Sequence, residues 1–113
     1  MELPKFLERL FRSKATAPSP LAISASGFAV GAISVAWSSV SEIWGYKVDL
    51  LTTDEAFLQF SFNGHAISIS EEQPGFDELE SAMVALFPST AHWRKSVLQP
   101  TFDPCRTLLY RRA

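Results

Sequence analysis

Asn63-Gly64 stands between two stretches whose apolar residues recur at every second position, and this arrangement constrains the chain more than any other feature. Before it, Ala56, Leu58, Phe60 and Phe62 alternate with Phe57, Gln59 and Ser61; after it come His65, Ile67 and Ile69. A strand repeats every two residues and a helix every 3.6, so neither stretch can hold one apolar face as a helix. Asn and Gly both tolerate the left-handed backbone that a two-residue hairpin turn needs. The expectation is a β-hairpin, with a sheet of more strands to bury its apolar side.

The neighbouring residues extend the sheet. Leu21–Ala25 and Phe28–Trp37 read as strands around Ser26-Gly27. Within the second, Phe28, Val30 and Ala32 hold one parity and Ile33, Val35 and Trp37 the other, which a bulge at Gly31 would explain. Trp44, Tyr46, Val48 and Leu50 alternate with Gly45, Lys47 and Asp49 and predict a half-buried strand with the aromatic residues inward. Thr52-Thr53-Asp54 then forms a turn.

Beyond Pro74-Gly75 the period changes. Phe76, Leu79, Met83, Leu86 and Phe87 mark a helical stripe, with Asp77, Glu78 and Glu80 in the first turns, where carboxylates suit the helix dipole. Pro88 ends this helix. Ser89 or Thr90 can cap a second short helix carrying Trp93, Val97 and Leu98, and Thr107–Tyr110 adds a last strand closed by Arg111 and Arg112. Strands run together and helices run together, which gives an α+β domain over residues 21–113. Its expected form is one strongly bent, mainly antiparallel sheet of about five or six strands with C-terminal helices. By element order this resembles pleckstrin-homology-like domains.

The N-terminus stands apart. Leu3, Phe6, Leu7, Leu10 and Phe11 fall on one helical face, Pro4 suits a first turn, and Glu8 and Arg12 pair at i,i+4. Residues 1–14 are thus expected to form an amphipathic helix and 15–20 (ATAPSP) a linker. A helix of this length is marginal alone and needs a surface to dock on. That surface can be its own domain, a second copy or a membrane.

No charged residue occurs from Ala15 to Ser41, behind four basic ones, the order of a signal peptide or anchor. Pro18 and Pro20 interrupt its start, and Ser, Gly and Ala outnumber Leu. The Gly27/Gly31 spacing is a weak pairing motif in so polar a background. Strands are expected here.

Composition narrows the function classes. With 113 residues there is room for one domain, and 47% hydrophobic residues are enough to fill its core. A net charge of −2 speaks against a nucleic-acid partner. The sole cysteine, Cys105, rules out an intrachain disulfide or a paired-thiolate zinc site and fits a reducing cytoplasm.

Three segments resemble small bacterial proteins of unassigned function. They are Trp37-x-x-Val40-x-x-Ile43-x-x-Tyr46-Lys47-x-Asp49-Leu50-x-Thr52-Thr53-Asp54, then Glu71-Glu72-x-Pro74-Gly75-Phe76-x-x-Leu79 with Phe87-Pro88 and Trp93, and the closing Thr107-Leu108-Leu109-Tyr110-Arg111-Arg112. The resemblance covers about residues 33–112 and implies one intact bacterial domain. It implies no ligand, cofactor or catalytic residue.

Candidate chemistry is sparse. Lys47 and Asp49 share a strand face, and Thr52, Thr53 and Asp54 follow at the turn. Together they make a candidate interaction surface, whose plain alternative is a solvated face with side chains bonding the turn backbone. Glu71, Glu72, Asp77, Glu78 and Glu80 match no calcium-loop spacing. Neither His65 nor His92 stands in a nucleophile or zinc motif. Trp44, Trp93 and Tyr110 could line a pocket, but aromatics at strand and helix spacing more often fill a core; core is the expectation for Trp44, and Trp93 is left open. No cofactor or metal is expected, and the residues favour a non-enzymatic interaction module. Its expected partners are a second copy or another protein, through an assembly face of Leu3, Phe6, Leu7, Leu10 and Phe11. A membrane-peripheral domain anchored by the same helix is the alternative, and a small metal-dependent or hydrolytic enzyme using His65 is a third.

Overall fold

The computed structural model describes residues 20–49, 54–98 and 106–113. The N-terminal helix expected over 1–14 and all of the 15–20 linker but Pro20 lie outside these residues, as do Thr52, Thr53 and Cys105. The described chain is α+β with two antiparallel sheets.

Strands β1 (Leu21–Ile23), β2 (Gly27–Val30) and β3 (Ile33–Ala36) form a three-stranded meander. Strands β4 (Val40–Asp49), β5 (Asp54–Phe62), β6 (His65–Ser70) and β7 (Thr107–Arg111) form a four-stranded sheet in the order β6-β5-β4-β7. The expected single bent sheet is therefore corrected to two. Gly31, with φ of 59°, reverses the chain in a tight turn so that Val30 faces Ile33 in register, and β3 pairs with β2 and not with β4, which leaves the small sheet separate from the large one. The change of parity at this point is a hairpin and not a bulge. A short 3-10 turn, Trp37–Ser39, then leads into β4, which starts at Val40, four residues earlier than the alternation from Trp44 implied. The described part of the charge-free stretch thus forms strands. Among the described residues no helix is long and apolar enough to cross a membrane.

The β5–β6 hairpin forms where the sequence places it. Asn63 (φ 48°) and Gly64 (φ 78°) both adopt the left-handed backbone, which closes Phe62 against His65. Helix α1 (Phe76–Leu86) follows Gly75, whose φ of 89° makes the sharp entry, and stops before Pro88. Helix α2 (Trp93–Leu98) is a single short segment.

The core lies between the sheets and the helices. Leu21, Phe28 and Val35 come from the small sheet, Ile43, Ala56, Leu58, Phe60 and Ile69 from the large one, and Leu79, Met83, Trp93 and Val97 from the helices. An aromatic cluster joins the layers: Phe28 lies 5.0 Å from Phe60 and 5.2 Å from Trp37, which also meets Phe87 at 6.1 Å. Such tilted pairs stabilise beyond the area they bury. The Trp37 indole N–H donates to the Ser24 carbonyl at 3.2 Å, so its polar atom is satisfied at the edge of the cluster.

Alternation in β4 runs opposite to the sequence expectation. Ile43, Gly45 and Lys47 face the core, while Trp44, Tyr46 and Val48 face away. Packing decides this: α2 crosses the sheet at Gly45, where a side chain would strike Val97 at 2.6 Å, so only glycine lets the helix approach so closely. Trp93, beside it, is core. Trp44 is not.

Arg112 fastens the last strand to the start of β4. Arg112 donates to the carbonyls of Ser38 and of Val40, the latter at 2.9 Å, and its N–H bonds the Ser41 carbonyl at 2.8 Å. These bonds clasp the C-terminus onto the start of β4, and β7 follows as its neighbour.

Candidate functional site

The inner face of the large sheet is covered by α2 and the aromatic cluster. Its outer face carries an unusual set of side chains for a solvent side. Tyr46 on β4 and Phe57 on β5 are opposite in register and stack with ring centres 5.0 Å apart and planes 5° from parallel. Cross-strand aromatic pairs of this kind stabilise a sheet face by about 0.2–1 kcal/mol. Next along β4, Trp44 faces Gln59 on one side and Leu108 on the other. Val48 and Leu108 are 40% and 37% exposed. The apolar stripe thus runs from Val48 through Tyr46 and Phe57 to Trp44 and Leu108.

A polar rim lines one border of this stripe. The Arg106 guanidinium lies 4.1 Å from the centre of the Trp44 ring and donates to Gln59 Oε1 at 2.7 Å. Stacking of this kind leaves the cation's outer side free to meet a partner. Glu42 accepts from the Trp44 indole N–H at 3.0 Å and from Arg111 Nε at 2.8 Å. Both bonds favour the carboxylate, first the indole and then the guanidinium, and they hold the Glu42 acid below its ordinary range. Among the described residues no helix lies over this face, because α1 packs along β1 and α2 along the inner side.

The residues singled out by sequence are placed differently. Lys47 is no surface group: its side chain is fully buried on the inner side of β4, with Nζ 3.7 Å from Asp54 Oδ2. Its long aliphatic stem fills core space and its amine reaches the sheet end. Asp54, 38% exposed, opens β5 opposite Asp49. Of the proposed cluster of Lys47, Asp49, Thr52, Thr53 and Asp54, the cation therefore points inward and Asp54 is exposed, while Thr52 and Thr53 lie outside the described residues.

Glu71 and Glu80 serve structure. Arg94 donates to Glu71 at 2.8 Å and to Glu80 at 3.1 Å, and Glu80 also accepts from the Trp93 indole at 2.6 Å. Burial works to lower the Arg94 pKa, yet the bonds to Glu71 and the charge of Glu80 outweigh it and raise it overall. The second Glu71 oxygen takes the Ala56 N–H at 2.6 Å. This network pins α2 to α1 and to the start of the hairpin. His65 and His92 are exposed, and His65 sits against Phe62 at 6.0 Å.

Sequence reasoning missed Phe57, Gln59, Arg106 and Leu108 as members of one face. The available signal was Phe57, an aromatic residue at the polar parity of β5. A shallow groove of about 350 Å³ on the small sheet is lined by Ala22, Ser24, Gly27, Ala29, Ser34 and Ala36 and has no charged anchor. Comparison with known proteins gives no match to any family model, curated protein or solved structure.

Proposed function

We propose that the protein is a non-enzymatic interaction module that self-associates or takes a protein partner through the outer face of its large sheet. The observation that carries this reading is the stripe of Trp44, Tyr46, Phe57, Val48 and Leu108 with no described helix over it. Aromatic residues with a stacked arginine at the rim are the composition of a binding surface more than of a solvated one. The chain also supplies a matching apolar stripe in Leu3, Phe6, Leu7, Leu10 and Phe11. A continuous apolar patch left in water is unfavourable, so both stripes gain by burial, against each other or against a partner. The cytoplasm, which keeps a lone cysteine reduced, is the proposed compartment.

Size-exclusion chromatography with light scattering tests this, on the full chain and on one beginning at Ala17. Dimers at high micromolar concentration that weaken at least tenfold on truncation, or with Tyr46→Ser and Phe57→Ser combined, support the reading. A full chain that stays monomeric at that concentration removes self-association and leaves a partner protein as the occupant.

A further inference from the structure

Among the described residues the two sheets have four free edges, and three of them are blunted. β1 and β3 have three and four residues. β7 carries Arg111 with Arg106 and Arg112 beside it, shifts register opposite Ile43 and Trp44, and has its Leu109 carbonyl occupied by the Ser89 hydroxyl at 2.8 Å. Short length, cations and bulges are the devices by which proteins prevent edge-to-edge pairing. β6 has none of them. His65–Ser70 contains no Asp, Glu, Lys, Arg or Pro and pairs with β5 in unbroken register.

Backbone parity tells which groups of β6 point outward. The Glu71 N–H donates to the Ala56 carbonyl at 2.9 Å, next to the Phe57–Ser70 pair. Hydrogen-bonded and non-hydrogen-bonded pairs alternate along an antiparallel ladder. Ile69, Ile67 and His65 therefore exchange bonds with β5, while the N–H and C=O groups of Ala66 and Ser68 project from the sheet edge. Both residues are exposed. The Ser70 carbonyl is already taken by the Gln73 N–H at 3.0 Å.

We propose that this edge pairs antiparallel with β6 of a second copy, joining two four-stranded sheets into one of eight strands. An antiparallel edge is its own complement under a two-fold axis, because each residue's donor and acceptor meet those of the symmetry mate. With the axis at Ser68, Ser68 faces Ser68 and exchanges both bonds with it, and Ala66 faces Ser70 of the second copy, whose outward N–H is the group left to bond the Ala66 carbonyl, which places outer face beside outer face. The side chains on that side are Ala and Ser, small enough for close approach. On the inner side Ile67 meets Ile69, and no like charges oppose one another. The inference rests on the self-association reading and deepens it by adding the strand edge as a second contact, which sets the two aromatic stripes on one side of the joined sheet, separated by the Ala and Ser side chains of the paired β6 strands.

Three variants test the pairing by light scattering, with circular dichroism to verify the fold. In Ser68→Pro the lost N–H faces outward, so the monomer loses no ladder bond. Ser68→Lys adds the charge that natural edges use. In Ser68→Cys made with Cys105→Ser, thiols of paired strands with Cα atoms about 5.5 Å apart can close a disulfide. The expected result is at least a tenfold loss of association in the Pro and Lys variants with an unchanged spectrum, and a cross-linked dimer in the Cys variant on mild oxidation. Folded Pro and Lys variants that associate like the parent, with no cross-link, overturn the edge assignment and leave self-association standing. A parent chain that is monomeric at high micromolar concentration overturns both.

Discussion

Gly45→Ala tests the packing that turns the aromatic side of β4 outward. The φ of Gly45 is not in the left-handed region, so alanine fits the backbone. Its Cβ does not fit the space: it would lie 2.6 Å from Val97 Cγ2, 3.2 Å from Leu109 Cδ1 and 3.4 Å from Trp93 Cε3. Val97 is fully buried, and valine in a helix has one favoured χ1 well, so its methyl cannot swing aside. Helix α2 must lift from the sheet, at the ~1–3 kcal/mol typical of an inserted methyl group. Reduced freedom of the unfolded chain returns ~0.4–1 kcal/mol. The net loss of ~1–2 kcal/mol corresponds to a midpoint lowered by roughly 4–8 °C at this chain length. Thermal unfolding followed by circular dichroism measures it. Val97→Ala in the same chain should restore ~1 kcal/mol relative to the sum of the single changes, because the contacting atoms are then removed. A Gly45→Ala protein as stable as the parent would refute the close approach of α2, and strictly additive effects would move the clash away from Val97.

Other consequences are open to measurement. Gly64→Ala meets no atom within 4 Å but holds φ 78°, so it should cost ~1 kcal/mol through backbone strain alone, read by urea unfolding. Asp54→Ala leaves the buried Lys47 amine with less compensation and should destabilise by ~1–2 kcal/mol, moderated by the exposure of Asp54, whereas Lys47→Met keeps the volume and should cost less; the reverse order would contradict the buried placement of Lys47. The Glu42 acid is held below its ordinary value of 4.5 by the Trp44 and Arg111 bonds, so its stabilisation is present above that value and is lost as pH falls through the lower folded-state value. Thermal midpoints of the parent and Glu42→Gln should therefore converge in acid and separate toward neutral pH.

The sequence exposed most of the elements and few of the faces. Asn63-Gly64 allows one kind of turn, and the stripe from Phe76 to Leu86 between Gly75 and Pro88 allows one helix, so both were legible. A parity switch and a tight turn at Gly31 leave the same trace in the residues, and only pairing distinguishes the bulge from the hairpin. The inversion of β4 has a similar origin. Trp44 and Tyr46 are the larger apolar residues, yet Gly45 is what makes room for Trp93 and Val97, a fact of tertiary packing invisible to alternation. Lys47 followed Gly45 inward for that reason. The outer face became readable only with the register that sets Tyr46 against Phe57 and Trp44 against Gln59 and Leu108, residues up to 64 positions apart.

The central claim is that the outer face of the large sheet is a contact surface on which copies of this chain associate. Its most direct test is the solution mass of the full chain by sedimentation equilibrium, followed through dilution from high micromolar to nanomolar concentration. At least twice the 12.5 kDa monomer mass is predicted at the high end, since the outer face and the β6 edge are separate contacts, falling to the monomer on dilution, with the transition moved to higher concentration by Tyr46→Ser and Phe57→Ser. A mass of 12.5 kDa across the whole range, or a mass profile unchanged by those substitutions, would contradict it.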